Sequence, residues 1–488
     1  MPSALDSLTF NNRYGQLPEY FYQRKSPQSL KKPATLVALN PEVASLLGIN
    51  PCELDEEQLT NWMTGHLQLR GSEPLAMKYA GHQFGYYNPD LGDGRGLLLG
   101  EITNPQGQHW EVHLKGAGQT AFSRFGDGRA VLRSSIREFL GSEALHYLGI
   151  PTTRALAVCV TGEAIRREQL EPGATLLRIT PSHLRFGHFE HFYYQQDQQG
   201  LETLLKFTLD NLYPHLLDHP DPALALFDEV QERTASLVAL WQAYGFCHGV
   251  LNTDNMSLLG ETLDYGPFAF LDFYQPSYVG NHSDDQGRYA FDRQPQIMHW
   301  NLACFAQALS GLTAAEGLKA SLNHFPELFQ KQYRQSLATR LGVNPVTDWP
   351  LLQDFLRLCE NSRVDWTRLL RLLAEGQLQA AETLLKAGGP GVTAQQVEAW
   401  MSSWQNKVDT YFASPQQRCR ELEAVNPCVL PRTHLLQQAI TAAEEGDFSE
   451  VKRLLAVFRH PFTPDGKQPG DLESPPAHQQ CLPLSCSS

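Results

Sequence analysis

Four stretches of this 488-residue chain combine residue types able to bind phosphate, hold a metal ion or move a proton. In LGDGRGLLLGE, Gly92, Gly94 and Gly96 surround Asp93 and Arg95. Glycines let backbone N–H groups turn toward a phosphate and let it approach closely. A guanidinium adds a two-pronged donor for phosphate oxygens. A tight hairpin turn would use the same glycines. Lys115 closes the next stretch, WEVHLKG. Such a lysine pairs with nucleotide phosphates when a helix glutamate holds it. Glu138, in RSSIREFLGSEAL, is the expected partner and Glu143 the alternative. Asp127 and Gly128 precede that helix. Asp127 is expected either to cap it or to stand at the phosphate site.

The third stretch, HGVLNTDNMSLLGETLDYGP (residues 248–267), has the outline of a phosphotransferase catalytic loop. The position after His-Gly is Val250, which can neither accept a proton nor bind a metal. Residues 256–259 read as a strand, 260–262 as a turn and Leu263 as the start of a returning strand. Asn255 and Asp264 then face each other at the open end, an oxygen pair suited to Mg²⁺. Asp264 opens Asp-Tyr-Gly, which is similar to the metal-holding Asp-Phe-Gly of kinases. Asp254, beside Asn255, is the candidate proton acceptor. In the fourth stretch, TLLRITPSHLRFGHFEHF, Arg178 and Arg185 are placed to clamp a triphosphate. His183, His188 and His191 raise a zinc site, which the lack of a suitably spaced fourth ligand argues against.

These residues need elements to position them. Trp110, Val112 and Leu114 alternate with Glu111, His113 and Lys115, the period of a strand. From Arg129 to Tyr147, with Leu148 following, apolar residues recur at helical spacing and Gly149 ends the run. Residues 1–75 read as an extension wrapping the next unit, 76–170 as a strand-rich lobe with one long helix, and 171–325 as a mostly helical lobe. Residues 326–460 read as helices; Phe448, Val451, Leu454, Leu455 and Phe458 form one apolar stripe. Pro and Gly in residues 461–488 suggest a mobile tail.

The totals set limits. The length calls for more than one packed unit. Apolar residues at 42% and charged residues at 19% describe a globular chain. A net charge of −14 argues against general nucleic-acid binding. No apolar run is long enough for a membrane span. The opening residues lack the pattern of a secretory or transit segment. Nine scattered cysteines suit a reducing compartment.

The quoted motifs, together with GHQFGYYNPDLGDGRG, LKGAGQTAFSRFGDGRAVLRSSIREFLGSEALHYLGIPTTRAL and NHSDDQGRYAFDRQP, closely resemble the selenoprotein O family of pseudokinase-like protein adenylyltransferases, over nearly the whole chain. The resemblance implies an α+β, two-lobed protein-kinase-like fold with an N-terminal extension and an added C-terminal helical region. It implies ATP bound flipped, so that AMP passes to Ser, Thr or Tyr hydroxyls of protein substrates, with Mg²⁺ or Mn²⁺. By motif, Gly92, Gly94, Arg95, Asp127 and Gly128 would line the nucleotide site. Lys115 would meet phosphate and Glu138 would hold it. Arg178 and Arg185 would grip the inverted phosphates, Asp254 would accept the proton, and Asn255 and Asp264 would hold metal, with Asp264 also at the nucleotide. A cytoplasmic bacterial monomer without nucleic-acid or membrane partners is expected. The alternatives are a kinase moving the γ-phosphoryl group and a nucleotide-binding scaffold without turnover. The ending departs from the family's redox pairs: Cys481 and Cys486 are five apart, and Gly280 stands where some relatives carry a cysteine. The ending thus lacks the family's redox spacing, and its two cysteines fit either a Cys481–Cys486 bridge or two free thiols.

Overall fold

A computed structural model describes residues 4–389, 391–482 and 484–485. Its centre is a nine-stranded antiparallel sheet. The path runs Tyr22–Arg24, Leu75–Met77, Gly96–Thr103, His109–Lys115, Leu170–Thr180, Arg154–Arg166 and Thr35–Leu39. Two short strands lie off this path: Phe10–Asn11 on Gly96–Thr103, and Ala130–Val131 on Leu170–Thr180. The first 75 residues also supply three strands of the sheet, Phe10–Asn11, Tyr22–Arg24 and Thr35–Leu39. The sheet also runs to Thr180, past residue 170, where the sequence divides into its two expected units.

Alternation decides what each face of the sheet buries. Leu97, Leu99, Val112, Leu114, Leu177 and Ile179 point into a core closed by Trp62, Met63 and Val43 of the N-terminal helices Pro41–Leu46 and Glu56–Met63. Leu98 and Leu176 face the opposite way, onto Ile136, Phe139 and Leu140 of the helix Leu132–Tyr147. With both faces covered, Glu111, His113 and Lys115 are buried. Lys115 is therefore not on a solvated strand face.

The Leu132–Tyr147 helix starts later than its apolar spacing from Arg129 suggests. Ala130 and Val131 are drawn into the sheet opposite Ala174 and Gly173. Asp127 consequently does not cap it. Its carboxylate accepts the Arg129 N–H and pairs with Arg167.

The rest is mainly helical. The 23-residue helix Pro222–Tyr244 is capped by Asp221 and ended by Gly245, which takes the left-handed backbone (φ +72°) that glycine tolerates best. Helices from Phe325 onward form a second core around Trp366, Trp400 and Trp404. Arg340 joins it to the first core by donating to the carbonyl of Ala243. Val451, Leu454, Leu455 and Phe458, the stripe read from the sequence, return to the first core, in the same cluster as Phe139 and Leu140.

Two further expectations need correction. Residues 256–263 form no extended hairpin: a single antiparallel bridge, Met256 with Thr262, closes the loop. The described residues beyond 460, in a stretch expected to be mobile, pack against the helical region. Asp471 pairs with Arg453 at 2.7 Å and Ser474 donates to Asp365 at 2.6 Å. The Cys481 N–H donates to Asp272, and the carbonyl of Leu484 accepts from His282. Composition marks this stretch as poor in core-forming residues, but such a chain can still be held through polar groups. Cys486 lies outside the described residues.

Candidate active site

A cavity of about 740 Å³ opens between the sheet and the loop following the Pro222–Tyr244 helix. Gly92, Gly94, Arg95, Asp127 and Gly128 line one side of it. Lys115, Arg178 and Arg185 lie at the back, and Asp254, Asn255 and Asp264 line the other side. The structure therefore brings the glycine-loop, lysine, arginine and catalytic-loop candidates into one place. Glu138 is buried immediately behind Lys115.

Five charged side chains form a continuous row there. Lys115 is bonded to Glu138. Glu138 also takes two contacts from Arg178, at 2.9 and 2.7 Å. Arg178 reaches across to Asp264 at 2.5 Å, and Arg185 holds the other Asp264 oxygen at 2.5 Å. Arg185 lies over the Tyr79 ring. Glu143 plays no part in this row: it pairs with Arg154. Strand pairing explains the assembly. Lys115 lies opposite Leu176 in the register, so Arg178, two residues further on, projects from the same face.

Burial opposes ionisation of Asp264, but Arg178, Arg185 and Lys115 overcome it and hold the carboxyl well below its ordinary range. Glu138 is also held down: Arg178 and Lys115 outweigh its burial. Asp264 adopts a left-handed backbone (φ +59°), uncommon for a non-glycine residue. Its carboxylate keeps 24% exposure, toward the cavity.

Asp254 differs from its neighbours. Burial, opposed by Arg185 and reinforced by Asp264, raises its carboxyl to about 7. One oxygen accepts from Gln83 at 3.3 Å; the other is buried without a partner. Beside it, the Asn255 amide nitrogen donates to the carbonyl of Val250 at 3.2 Å. That bond turns the amide nitrogen to Val250 and leaves the amide oxygen as the end able to meet a cation. Val250 thus serves through its backbone where its side chain cannot.

Gly94 is required by space. A Cβ there would stand 2.7 Å from the carbonyl oxygen of Phe122. At Gly96 a Cβ would strike the His113 ring. Asp93 turns inward, away from any anion, accepting from the Met77 N–H at 3.0 Å and facing His113 at 3.3 Å. The three histidines of the fourth stretch have separate partners or surroundings. His183 faces Glu111, the His188 ring accepts from the Arg185 N–H, and the His191 ring packs against Phe192. Among the described residues no group of three or more His, Cys, Asp or Glu is set to hold a metal.

The family description "Protein adenylyltransferase SelO" matches residues 4–459. The chain belongs to the SelO family. Similar proteins agree with this SelO assignment. "Protein nucleotidyltransferase YdiU" of Pseudomonas fluorescens (strain Pf0-1) is 47% identical over 488 residues, covering 99% of this chain and 100% of the relative. Its namesake in Azotobacter vinelandii is 47% identical over 490 residues, covering 99% of both chains. That of Pseudomonas aeruginosa PAO1 is 46% identical over 490 residues, covering 99% of this chain and 100% of the relative. As a SelO protein this chain is a nucleotidyltransferase, a protein adenylyltransferase. Among its described residues no helix is long and apolar enough to cross a membrane.

The sequence reading of this SelO site missed the hairpin formed by Gly81–Gln83 and Tyr86–Asn88, whose Gln83 reaches Asp254. It also missed Arg129, Arg166 and Arg167 at the cavity lining. GHQFG was the available signal for the first. For the second there was none beyond a basic pair.

Proposed function

We propose that this protein binds ATP in the flipped orientation and transfers AMP to Ser, Thr or Tyr hydroxyls of proteins. The observation that carries the reading is the clustering of Lys115, Arg178 and Arg185 at the back of the cavity, with the only carboxyl raised toward neutrality, Asp254, among the acids lining it. A triphosphate directed inward meets three cations, and its α-phosphorus is left nearer the acceptor side. Asp254 takes the acceptor hydroxyl proton as the oxygen attacks the α-phosphorus. The bond to pyrophosphate breaks, and its charge falls on the side of Arg178, Arg185 and Lys115. Donors fixed in advance at developing charge are the largest common contribution to such rates. A carboxyl titrating near 7 is matched to proton transfer at neutral pH.

Asn255 and Asp264 suit a divalent cation. Both offer oxygen to a hard ion, and the bond from the Asn255 nitrogen to Val250 leaves the amide oxygen available. Two protein ligands are few, but Mg²⁺ commonly completes its shell with water and substrate phosphate. When bound, Mg²⁺ or Mn²⁺ would neutralise phosphate charge. Gly92, Gly94, Arg95, Asp127 and Gly128 would line the rest of the nucleotide. The reading carries a two-lobed, kinase-like architecture, with the sheet as the smaller lobe and the helical region around residues 326–460 added to the larger. It also carries a cytoplasmic monomer acting on proteins.

The test compares ATP labelled on the α-phosphate with ATP labelled on the γ-phosphate. Each is incubated with the protein, Mg²⁺ and lysate, and acid-stable protein label is counted. Label from the α sample alone is expected. Label from the γ sample alone means a kinase and refutes the flipped nucleotide.

A further inference from the structure

Outside the row of charges, a hairpin reaches the carboxylate of the proposed base, and neither motif nor family description gives it a task. Gly81–Gln83 pairs with Tyr86–Asn88 in a two-residue hairpin. Both loop residues, Phe84 (φ +51°) and Gly85 (φ +89°), have left-handed backbones, as tight hairpins require. Glycine tolerates this; a phenylalanine is strained by it. Strain of this kind persists only where the surroundings impose it, and it gathers at functional sites. Here the Phe84 N–H donates to the Tyr289 hydroxyl at 2.8 Å, and that hydroxyl donates to Asn252 at 2.7 Å. The His82 N–H donates to the Thr253 hydroxyl at 2.7 Å, and the His82 ring is fixed by Glu190 at 2.6 Å. The hairpin is therefore fastened to residues 252 and 253, immediately before Asp254.

Two of its residues reach Asp254 itself. The Gln83 amide nitrogen donates to one carboxylate oxygen at 3.3 Å. Its amide oxygen accepts from Asn88 across the hairpin at 3.4 Å, so the nitrogen end is the one turned to Asp254. Gly81 stands against the other oxygen: a Cβ at 81 would lie 3.0 Å from both Cβ and Oδ1 of Asp254. One oxygen is thus held by a donor while the other, without a partner, is confined by a residue that must stay small.

We propose that Gln83 and Gly81 are positioning residues for adenylyl transfer, setting the rotamer of the Asp254 carboxylate so that its unpartnered oxygen meets the acceptor hydroxyl. This rests on the reading of Asp254 as the proton acceptor. It concerns the chemical step and not nucleotide binding, since a displacement on the order of 1 Å can cost about 100-fold in rate with the substrate still bound.

The test uses the full-length protein, α-labelled ATP with Mg²⁺, a fixed amount of lysate protein as acceptor, and ATP affinity measured separately by calorimetry. Gln83→Met keeps the side-chain volume and removes the donor. Its maximal rate should fall on the order of 10-fold, with the KM and Kd for ATP within about twofold of wild type and an unchanged melting temperature. Gly81→Ala should lose on the order of 100-fold with the same split. A Gln83→Met rate within about twofold of wild type overturns the proposal. So does a loss matched by equal loss of ATP affinity or by a collapsed melting temperature, which makes the hairpin mere scaffolding. Asp254→Asn separates the premise from the inference. If it is inactive while Gln83→Met is normal, only the positioning role falls. If it is active, the base assignment falls and takes the positioning role with it.

Discussion

Replacing Arg178 by alanine removes the middle of the charged row. Its guanidinium is 2% exposed and is shared by Glu138 and Asp264. Two effects follow, and they differ in size. For stability, each carboxylate retains one cation: Lys115 for Glu138 and Arg185 for Asp264. The cost should therefore fall at or below the lower end of the roughly 3–5 kcal/mol seen when a buried pair loses a partner. For catalysis, on the proposed reading, no other group replaces Arg178 as a fixed donor beside the phosphates. Loss of one such donor typically costs about 100- to 1000-fold, equivalent to roughly 2.7–4 kcal/mol. The assay is AMP transfer from α-labelled ATP at saturating ATP, with the melting temperature recorded in parallel. A folded protein with transfer lowered about 100-fold or more is expected. Arg178→Lys, which keeps the charge but loses the fork, should fall between the two. Arg178→Ala transferring within about twofold of wild type would refute the phosphate-gripping role, since the electrostatic argument leaves no route to so small an effect.

Other outcomes can be checked with the same materials. Asp254→Ala should abolish transfer and leave ATP affinity within about threefold, because the proton acceptor acts in the chemical step. Gly94→Ala should weaken ATP binding, since the added Cβ meets the Phe122 carbonyl at 2.7 Å and must displace the glycine-rich loop; equal affinity by calorimetry would count against the loop as a phosphate cradle. Glu111 gives a pH effect on stability. Burial raises its carboxyl from an ordinary 4.5 to about 8, so the folded state holds its proton where the unfolded chain has lost it. Stability from this group is full below about 4.5 and is lost as pH rises toward 8. Glu111→Gln should flatten the fall in melting temperature between pH 5 and 8, measured calorimetrically; an unchanged slope would show that Glu111 is ionised in the folded protein.

Some of this site is written locally in the sequence and some is not. Lys115 and Glu138 are legible because period-two alternation fixes a strand face and helical spacing fixes a helix face. The choice between Glu138 and Glu143 is not, because it depends on Arg154 arriving from another strand to occupy Glu143. That Asp264 and Asn255 both line the cavity is legible from their motif. That both Asp264 oxygens are held by Arg178 and Arg185 depends on tertiary packing. The hairpin at Gly81–Asn88 is not legible, since nothing local to GHQFG says which residue lies 3.3 Å from Gln83. The missing strands at residues 256–263 are a failure of the alternation rule in a loop tied down by side chains: Asn255 to Val250, and Thr262 to Pro151.

The helix that carries Glu138 lies between the sheet and the helix Ser449–Phe458. Phe139 and Leu140 share one core with Tyr14 and Phe21 at the start and with Leu454 and Phe458 near the end. In terms of synthesis, this sets an order of events. A nascent chain that has emerged as far as residue 325 already contains every group of the charged row but lacks the apolar stripe that backs the Glu138 helix. ATP should therefore find no finished site until residue 458 has left the ribosome. A chain interrupted before this stripe is expected to transfer no AMP, whatever motifs it contains.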